Sequence, residues 1–351
     1  MYNNINRIIL IVFIKLNDLY SCFIDTNLSK CILRFSRVVW LYYFIVIRYK
    51  GDIVMSYKIV EKKQLNEVVY LMDIEAPRVA KAANPGQFII VIIDEKGERI
   101  PLTIADYDLE RGTVSIVFQV VGDSSRKLSL LEAGDSVSDF VGPLGQPSEF
   151  IHKDIEELKK KRIIFIAGGV GAAPVYPQVK WMHEHGVDVD VIIGARSKDI
   201  VIFEDKMRSV AKNVYMCTDD GTYGFHGNVT MLLDDLVKNQ GKEYDEAIVI
   251  GPMIMMKFAV MATKKLNIPT TVSLNTIMVD GTGMCGACRV RIGDEIKFAC
   301  VDGPEFDGWK VDFDEAMSRQ RMFKTEEGRK ALRKQDGATH SSPDCKIGGA
   351  H

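Results

Sequence analysis

The sequence predicts two domains of different class: an antiparallel β-barrel over 55–153 and an α/β domain with a parallel sheet over 154–275. Three observations support this prediction. Short runs rich in β-branched residues fill the first region, whereas strand-like and helix-like runs alternate in the second. Three of the seven cysteines fall close together in a loop predicted at 276–310. The remaining 311–351 are predicted to form a helix followed by a disordered tail.

Length and composition limit the class of protein. A chain of 351 residues with 47% hydrophobic composition is long enough to build two hydrophobic cores. Its net charge of −2 leaves no electrostatic footprint for nucleic acid. The cysteines are odd in number and unevenly placed, unlike the disulfide framework of a small secreted domain, so we expect a cytoplasmic protein.

Residues 1–54 differ from the rest of the chain, being rich in Ile, Asn, Tyr, Phe and Lys and free of Pro. Their apolar runs are shorter than the roughly 20 residues of a membrane span, so no membrane insertion is expected. Lys50-Gly51-Asp52 could be encoded by AAAGGAGAT, a ribosome-binding site at a suitable distance from Met55. We therefore predict that translation starts at Met55 and that 1–54 are a mis-assigned or non-native leader. A peripheral membrane anchor is the alternative.

The barrel is predicted from strands bounded by turn residues. An apolar run at 87–93 ends in Asp94-Glu95-Lys96-Gly97, and a second run at 114–121 follows Arg111-Gly112. Several runs of this length at regular spacing are typical of a small antiparallel barrel.

The α/β domain begins with an apolar strand at 161–167, followed by a glycine turn and a helix from about 174 to 185. Further strands are predicted at 187–193, 213–217, 247–250 and 271–274, and a helix at 253–266. This alternation predicts βαβ units and hence a parallel sheet.

Gly168, Gly169 and Gly171 lie between the first strand and the first helix of this domain. Glycines there let the backbone approach a pyrophosphate, which the free N–H groups of a helix start favour. The run departs from G-x-G-x-x-G because its last glycine is replaced by Pro174. It predicts a dinucleotide site, with a plain tight turn as the alternative.

Other loops fall at the carboxyl edge of the predicted sheet, where ligands bind in open α/β folds. Gly251-Pro252 ends one strand, and Asp219-Asp220-Gly221 follows another. An NAD site usually has an acid after its second strand, but this chain has Arg196 and Lys198 there. These cations suit a 2′-phosphate or are solvated loop charges, so NAD(H) and NADP(H) both stay open.

Arg99-Ile100-Pro101-Leu102-Thr103 places a permanent cation and a hydroxyl on one strand of the barrel. The forked donors of Arg match phosphate oxygens, and a Thr hydroxyl can hydrogen-bond a ring nitrogen. Taken alone, a surface Arg beside a strand is the plainer interpretation. The turn at Gly142-Pro143-Leu144-Gly145 is similarly unspecific by itself.

The most specific signal is the group Cys285, Cys288 and Cys300, which follows a glycine-rich segment. With Asp280 at the first position the pattern is D-x4-C-x2-C-x11-C, the frame of a plant-type [2Fe–2S] loop with Asp in place of its first Cys. Zinc is the alternative. A structural zinc site requires four ligands, usually Cys or His, and no His lies between 227 and 339.

Together these residues resemble the ferredoxin–NADP reductase superfamily, in its dihydroorotate dehydrogenase electron-transfer-subunit branch. The resemblance covers about 57–324. Within the branch, the chain is most similar to the alpha (small) subunits of NADH-dependent reduced ferredoxin:NADP oxidoreductases, also called sulfide dehydrogenase alpha subunits. The resemblance implies a barrel that binds FAD, an α/β domain that binds NAD(H) or NADP(H), and a C-terminal [2Fe–2S] loop.

The resemblance also implies a role for particular residues. Arg99 is expected on a flavin phosphate and Thr103 near the isoalloxazine, although Asp123-Ser124 departs from the usual glycine-rich form. Dihydroorotate-linked relatives have Cys where this chain has Asp280, which favours the ferredoxin:NADP type. The implied FAD residues are Arg99, Pro101, Leu102, Thr103, Gly122, Ser125, Gly142 and Gly145. The implied nucleotide residues are Gly168, Gly169, Gly171, Asp219, Asp220, Gly221, Gly251 and Pro252. The implied cluster ligands are Asp280, Cys285, Cys288 and Cys300.

The implied function is that of an oxidoreductase subunit that moves electrons between NAD(P)H, FAD and the cluster. Its implied partner is a larger glutamate-synthase-like flavin and iron–sulfur subunit in a heterodimer, with ferredoxin as a further partner. Hydride transfer needs no side-chain acid or nucleophile, so no catalytic residue is predicted. Two alternatives remain: the electron transfer subunit of dihydroorotate dehydrogenase in pyrimidine biosynthesis, and a zinc-stabilised nucleotide-binding adaptor without redox chemistry.

Overall fold

The computed structural model describes residues 57–95 and 97–322. The predictions for 1–54 and for most of 311–351, including the disordered tail, lie outside these ranges. Among the described residues, no helix combines the length and the apolar character needed to cross a bilayer.

The first domain is a seven-stranded antiparallel sheet with the order β6-β1-β2-β5-β4-β3-β7. The strands are β1 (Tyr57–Gln64), β2 (Val69–Glu75), β3 (Phe88–Ile92), β4 (Ile100–Asp108), β5 (Thr113–Gln119), β6 (Ser136–Val137) and β7 (Asp139–Leu144). Only Ser138 separates the two end strands β6 and β7, so the sheet closes almost completely into a barrel. The predicted barrel is thus confirmed.

The barrel core follows from the alternation of side chains along its strands. Ile89 of β3, Ile104 of β4 and Ile116 of β5 are almost fully buried in one cluster. Two short helices accompany the strands, α1 (Pro77–Ala82) and α2 (Asp123–Ser129). The barrel therefore has a core of its own, as the sequence predicted.

The second domain has a sheet with the order β11-β10-β9-β8-β12-β13-β16. Its strands are β8 (Ile163–Gly168), β9 (Val189–Ala195), β10 (Asn213–Thr218), β11 (Phe225–His226), β12 (Glu246–Ile250), β13 (Thr270–Ser273) and β16 (Glu305–Asp307). Its helices are α3 (Ile155–Leu158), α4 (Ala172–Glu184), α5 (Glu204–Arg208), α6 (Val229–Lys238) and α7 (Met253–Lys265). All pairs are parallel except β13 with β16. The predicted parallel sheet is confirmed.

The strand order of this sheet creates a binding position. From β8 the chain proceeds to β9 and β10 on one side, and then returns to β12 and β13 on the other. The direction of winding thus reverses between β8 and β12, and a crevice opens outside the carboxyl ends of those two strands.

Both faces of the parallel sheet are covered, so its strands are apolar throughout rather than alternating. Ile164 and Ile166 of β8 pack in the core that contains α6 and α7. Phe165 and Ala167 point the other way, into a core shared by α4 and the barrel residues Leu71 and Val117. The two faces of β8 therefore pack into two different hydrophobic cores.

The cysteine region is not a separate appendage. It contains a two-stranded hairpin, β14 (Arg289–Ile292) and β15 (Glu295–Phe298), followed by β16 and by α8 (Phe313–Gln320). Because β16 pairs with β13, the segment after Cys300 joins the edge of the parallel sheet. The sequence did not predict β16, since three residues after a Gly-Pro pair carry no periodic signal.

Candidate functional site

Four glycines form a close-packed surface at the switch point between β8 and β12, which we call the glycine crevice: Gly168, Gly169, Gly171 and Gly251. A Cβ on Gly171 would lie 2.3 Å from the Ile250 carbonyl oxygen. A Cβ on Gly251 would lie 3.2 Å from the Gly168 Cα. A side chain at Gly171 would therefore collide with the backbone, and one at Gly168 or Gly251 would collide with the terminal methyl of Met255.

Gly169 behaves differently from the other three. Its φ is +55°, in the left-handed region, and a Cβ there would meet nothing within 4 Å. Its backbone therefore faces open space directly before α4, where free N–H groups favour an anion. The structure brings Gly168, Gly169, Gly171, Gly251 and Pro252 together at one edge, in an arrangement that suits a pyrophosphate.

The acidic loop after β10 lies beside the end of β9. The N–H groups of Asp219 and Asp220 donate to the Ala195 and Arg196 carbonyls, each at 3.1 Å. The Asp220 carboxylate accepts hydrogen bonds from the Thr222 N–H (2.9 Å) and hydroxyl (2.7 Å), and these bonds lower its pKa. The Asp220 carboxylate therefore stabilises its own loop. In this loop Gly221 has a φ of +72°.

The two cations of this edge are arranged differently. Lys198 lies with its Nζ 5.1 Å from the centroid of the Tyr223 ring, at cation–π distance. Arg196 is exposed next to it. Both stand beside the acidic loop, so the geometry fits either nicotinamide nucleotide.

The predicted flavin residues of the barrel fall on neighbouring elements. Pro101, Leu102 and Thr103 lie on β4, with Thr103 opposite Phe88 of β3. The Glu98 carboxylate accepts a hydrogen bond from the Ser124 hydroxyl, so the start of α2 lies next to the start of β4. The structure therefore brings the segment beginning at Arg99 close to Gly122 and Ser125.

The start of α2 has free surface for a ligand. A Cβ on Gly122 would meet nothing within 4 Å, and the preceding Val121 is 82% exposed. The Ser125 hydroxyl accepts from the Val121 and Gly122 N–H groups at 3.0 Å each, so it holds the turn itself. The exposed apolar Val121 and the exposed Arg99 suit, respectively, a ring and a phosphate.

The turn at Gly142 and Gly145 connects the barrel with the cysteine region. Gly145 has a φ of +75°, and a Cβ there would lie 3.0 Å from the Gly303 carbonyl oxygen. The Gln87 amide donates to the Gly145 carbonyl at 2.9 Å and fixes the turn from the barrel side. This turn therefore serves as the contact between the barrel and the chain that follows Cys300.

The four predicted cluster ligands lie as two pairs in the segment 280–300, which includes the β14–β15 hairpin and which we call the cluster loop. The sulfurs of Cys288 and Cys300 are 3.2 Å apart and almost fully buried. The Cys285 sulfur lies 3.4 Å from Asp280 Oδ1, and Cys285 is exposed. Within the described residues, no three such side chains converge as a single metal-binding group. A [2Fe–2S] centre has two irons, each with two protein ligands, so two pairs suit it better than one tetrahedral zinc ion.

The electrostatics of the buried pair call for a cation. Burial and, after it, the neighbouring Cys288 raise the pKa of the Cys300 thiol to about 12. A thiol of this kind becomes a thiolate when a metal ion balances its charge. At the exposed pair, hydrogen bonds from Thr282 and Cys285 lower the pKa of Asp280, so that side chain is already an anion. The donor set fits an iron–sulfur centre.

The cluster loop directly contacts the strand that is predicted to bind the flavin, and the sequence did not predict this contact. The Arg99 guanidinium Nη2 lies 3.5 Å from the Asp280 carbonyl oxygen. A Cβ on Gly281 would lie 2.6 Å from Ile90 Cδ1 and 3.0 Å from Leu144 Cδ1. The loop therefore packs on β3 and β7, next to the strand that carries Thr103.

Two further residues of the site have no signal in the sequence. The terminal methyl of Met255 in α7 covers the glycine crevice, 2.2 Å from where a Cβ of Gly251 would stand. Lys180 of α4 donates to Asp106 of β4 at 2.8 Å and joins the two domains. A Met on a helix and a Lys–Asp pair are ordinary in sequence, so only the fold reveals their positions.

Comparisons with known proteins agree with this arrangement. Residues 275–312 match the iron–sulfur cluster binding domain of dihydroorotate dehydrogenase B. A Thermotoga maritima protein named as a homolog of the dihydroorotate dehydrogenase B (NAD(+)) electron transfer subunit is 44% identical, covering 77% of this chain and 92% of its own. A Clostridium beijerinckii protein from the adh 3′ region is 68% identical, covering 82% and 98%.

One solved structure is similar over most of the described chain. It is that of the NADH-dependent reduced ferredoxin–NADP oxidoreductase, described for flavin-based electron bifurcation. It aligns with a TM-score of 0.73 and 42% sequence identity, covering 79% of this chain and 97% of that chain.

Fold and site together define an oxidoreductase subunit composed of a barrel, a nucleotide-type α/β domain and an iron–sulfur binding domain. The chain belongs to the family of dihydroorotate dehydrogenase B electron transfer subunits and their homologues. The resemblance inferred from the sequence motifs is thereby confirmed.

Proposed function

We propose that this chain passes electrons from a nicotinamide nucleotide through FAD and a [2Fe–2S] cluster to a larger partner subunit. The observation that carries the proposal is the contact between Arg99 and the Asp280 carbonyl at 3.5 Å. It joins the strand assigned to the flavin with the loop assigned to the cluster. Electrons then need to cross only that packed boundary.

The chain's own residues bind and orient rather than react. FAD, when bound, supplies the conversion of a two-electron hydride into single electrons. The glycine crevice and the start of α4 would hold the nucleotide pyrophosphate, with Asp219, Asp220 and Gly221 at the ribose side. Arg99 would neutralise a flavin phosphate, and Thr103 would donate to the flavin ring. Asp280, Cys285, Cys288 and Cys300 would hold the two irons.

The partner follows from the relatives. Homologues are named as electron transfer subunits, and such subunits act beside a larger catalytic subunit. We place the chain in the cytoplasm with a glutamate-synthase-like partner. Asp280 supports this partner over a dihydroorotate dehydrogenase, because the dihydroorotate-linked pattern has Cys at that position. Copurification with each candidate partner, tested in parallel, would decide between the two.

The first experiment is an anaerobic absorbance spectrum with iron, acid-labile sulfide and flavin analysis, on protein expressed from Met55. We expect about two irons and two sulfides per chain, stoichiometric FAD, and bleaching by NADH or NADPH. The two nucleotides are titrated separately because Arg196 and Lys198 leave the preference open.

The matched control is Cys288→Ser, which removes one buried thiol and leaves the barrel intact. It should keep the flavin absorbance and its bleaching but lose iron and sulfide. Flavin together with zinc and no iron in the unaltered chain would contradict the cluster assignment. A colourless protein would contradict the whole proposal and favour the nucleotide-binding adaptor.

A further inference from the structure

Three polar side chains meet where the barrel, the α/β domain and the cysteine region join. We call Ser148, Gln178 and Glu305 the junction cluster. Glu305 Oε1 accepts hydrogen bonds from the Ser148 hydroxyl at 2.9 Å and from the Gln178 amide at 2.8 Å. Ser148 and Gln178 are completely buried, whereas Glu305 keeps some exposure. None of the three belongs to the predicted cofactor sites.

The carboxyl of Glu305 lacks a balancing cation among the described residues. Burial, and to a smaller extent the acidic neighbour Glu149, raise its pKa, and the net value is about 7. The hydrogen bonds from Ser148 and Gln178 oppose that rise. Glu305 can therefore exchange a proton near neutral pH, and its partial exposure gives the proton a route to solvent.

Gln178 offers an acceptor for such a proton. Its Oε1 is buried and has no hydrogen-bond partner, which is costly for a polar atom. An ionised Glu305 can only accept hydrogen bonds, whereas a protonated Glu305 has an O–H that can donate one. The ionised state thus accepts from Ser148 and Gln178, and the protonated state adds a donor to a cluster that contains the unpaired Gln178 Oε1.

The junction cluster is tied to both redox regions through the segment 301–304. The Gln146 N–H donates to the Gly303 carbonyl at 2.6 Å, and its side-chain amide donates to Val301 at 2.8 Å. A Cβ on Gly145 would lie 3.0 Å from the same Gly303 oxygen. Glu305 therefore directly follows the segment that packs the region after Cys300 onto the predicted flavin turn.

We propose that Glu305 binds a proton when the iron–sulfur centre of this chain is reduced, and releases it on oxidation. When that centre accepts one of the two electrons of the nucleotide hydride by way of FAD, one proton from solvent would convert the Glu305 carboxylate to the acid. The electron and the proton together would leave the summed charge of the centre and the junction cluster unchanged. The proposal rests on the proposed function, since it requires bound redox centres. Negative charge added nearby strengthens proton binding because the medium there has a low dielectric constant.

The test is the midpoint potential of the iron–sulfur centre in the cofactor-loaded protein, measured by spectroelectrochemistry at several pH values. In the wild type the potential should fall as pH rises between roughly 6 and 8, by at most about 59 mV per unit, the one-electron equivalent of a tenfold change. Glu305→Gln should have a flat profile over that range. Gln is isosteric with the protonated acid, and its amide can donate to Gln178.

The matched control is Glu149→Gln, which removes the adjacent acid but leaves the junction cluster intact; it should retain a slope. A flat wild-type profile, or an unchanged slope in Glu305→Gln, would overturn the proposal while leaving the proposed function intact. Absence of iron and flavin in the wild type would instead overturn both, and the cofactor analysis reveals that case.

Thermal unfolding supplies a second readout. A folded-state pKa raised above the unfolded value gives stability that is present at acid pH and lost as pH rises through about 7. Glu305→Gln should therefore have a higher Tm than the wild type at pH 8, and the gain should vanish well below the unfolded pKa. A gain independent of pH would contradict proton binding at Glu305.

Discussion

The glycine crevice and the cluster loop lie at neighbouring edges of the molecule but are built in opposite ways. The crevice is made of backbone: Gly171 leaves no room for a Cβ beside the Ile250 carbonyl, 2.3 Å away. The cluster loop is made of donor side chains, with Cys288 and Cys300 held 3.2 Å apart. Substitutions that add side-chain atoms should therefore impair the glycine crevice, whereas substitutions that remove ligand atoms should impair the cluster loop.

The two regions also differ in what the fold supplies without a ligand. The crevice is preformed, because its shape comes from strands and a helix that pack for other reasons. Burial disfavours the thiolate form of Cys300, and a bound metal compensates for that cost, so metal binding is coupled to the local fold. Loss of the bound group should accordingly disturb the structure of the cluster loop more than that of the glycine crevice.

The largest expected effect is on the buried thiol pair. Cys300→Ser replaces a soft ligand by a poor one and should reduce iron content at least about tenfold, since even weaker perturbations of metal sites cost 10–100-fold in affinity. Flavin content should stay near the wild-type value. The measurement is iron, sulfide and flavin per chain after anaerobic purification.

Two further variants make this prediction specific. Cys217→Ala removes a buried free thiol in the core of the α/β domain, so it should retain its iron. Asp280→Cys keeps an anionic ligand at the exposed pair and should retain iron with a shifted potential. Full iron content in Cys300→Ser would show that this cysteine is not a ligand.

A smaller effect is expected in the glycine crevice, where substitutions at two of the glycines should act by different mechanisms. Gly171→Ala forces a Cβ against the Ile250 carbonyl and should destabilise the fold by roughly 1–3 kcal/mol. Gly169→Asn should cost little stability, because Asn tolerates a φ of +55° and the surroundings are open. Its side chain should nevertheless occupy the space for pyrophosphate and weaken nucleotide binding about tenfold, or 1.4 kcal/mol.

Thermal unfolding and titration of the flavin with NADH separate the two variants. The expected pattern is a lowered Tm for Gly171→Ala and an unchanged Tm with a higher Kd for Gly169→Asn. Equal nucleotide affinity in Gly169→Asn and wild type would mean that the pyrophosphate binds elsewhere.

The contrast also explains what could be predicted from the sequence. The cluster loop was found from spacing alone, because Cys285 and Cys288 are close in sequence and are therefore necessarily close in space. The strand–glycine–helix run around Gly168 was found for the same reason. Both are local signals, and the fold class followed from local periodicity in the same way.

Contacts between distant segments had no such signal. The approach of Arg99 to Asp280 spans 181 positions, and that of Gln178 to Glu305 spans 127. Such pairs depend on how the domains pack, which no local pattern encodes. Asp106 and Lys180 illustrate the same limit, because each is an ordinary charged residue until β4 and α4 meet.

The smallest effect is expected at this Asp106–Lys180 pair, which positions the crevice relative to the barrel. Lys180→Met removes the 2.8 Å bridge but leaves Lys206 at 3.9 Å from the same carboxylate. The loss should therefore be roughly 1 kcal/mol or less. Asp106 raises the pKa of Lys180, so this stability is present below the normal Lys pKa and is lost only in strongly alkaline solution.

The matched control is Lys212→Met, which removes an equally short 2.7 Å bridge to Asp188 on the exposed surface. Thermal unfolding at neutral pH should show a larger decrease for Lys180→Met than for Lys212→Met, because the Asp106 carboxylate is less exposed than that of Asp188. The rate of flavin reduction by NADH should also fall in Lys180→Met but not in Lys212→Met, since the Lys180–Asp106 bridge, unlike the Lys212–Asp188 bridge, links α4 to β4. An unchanged rate would mean that apolar packing between α4 and β4 is sufficient to align the two sites.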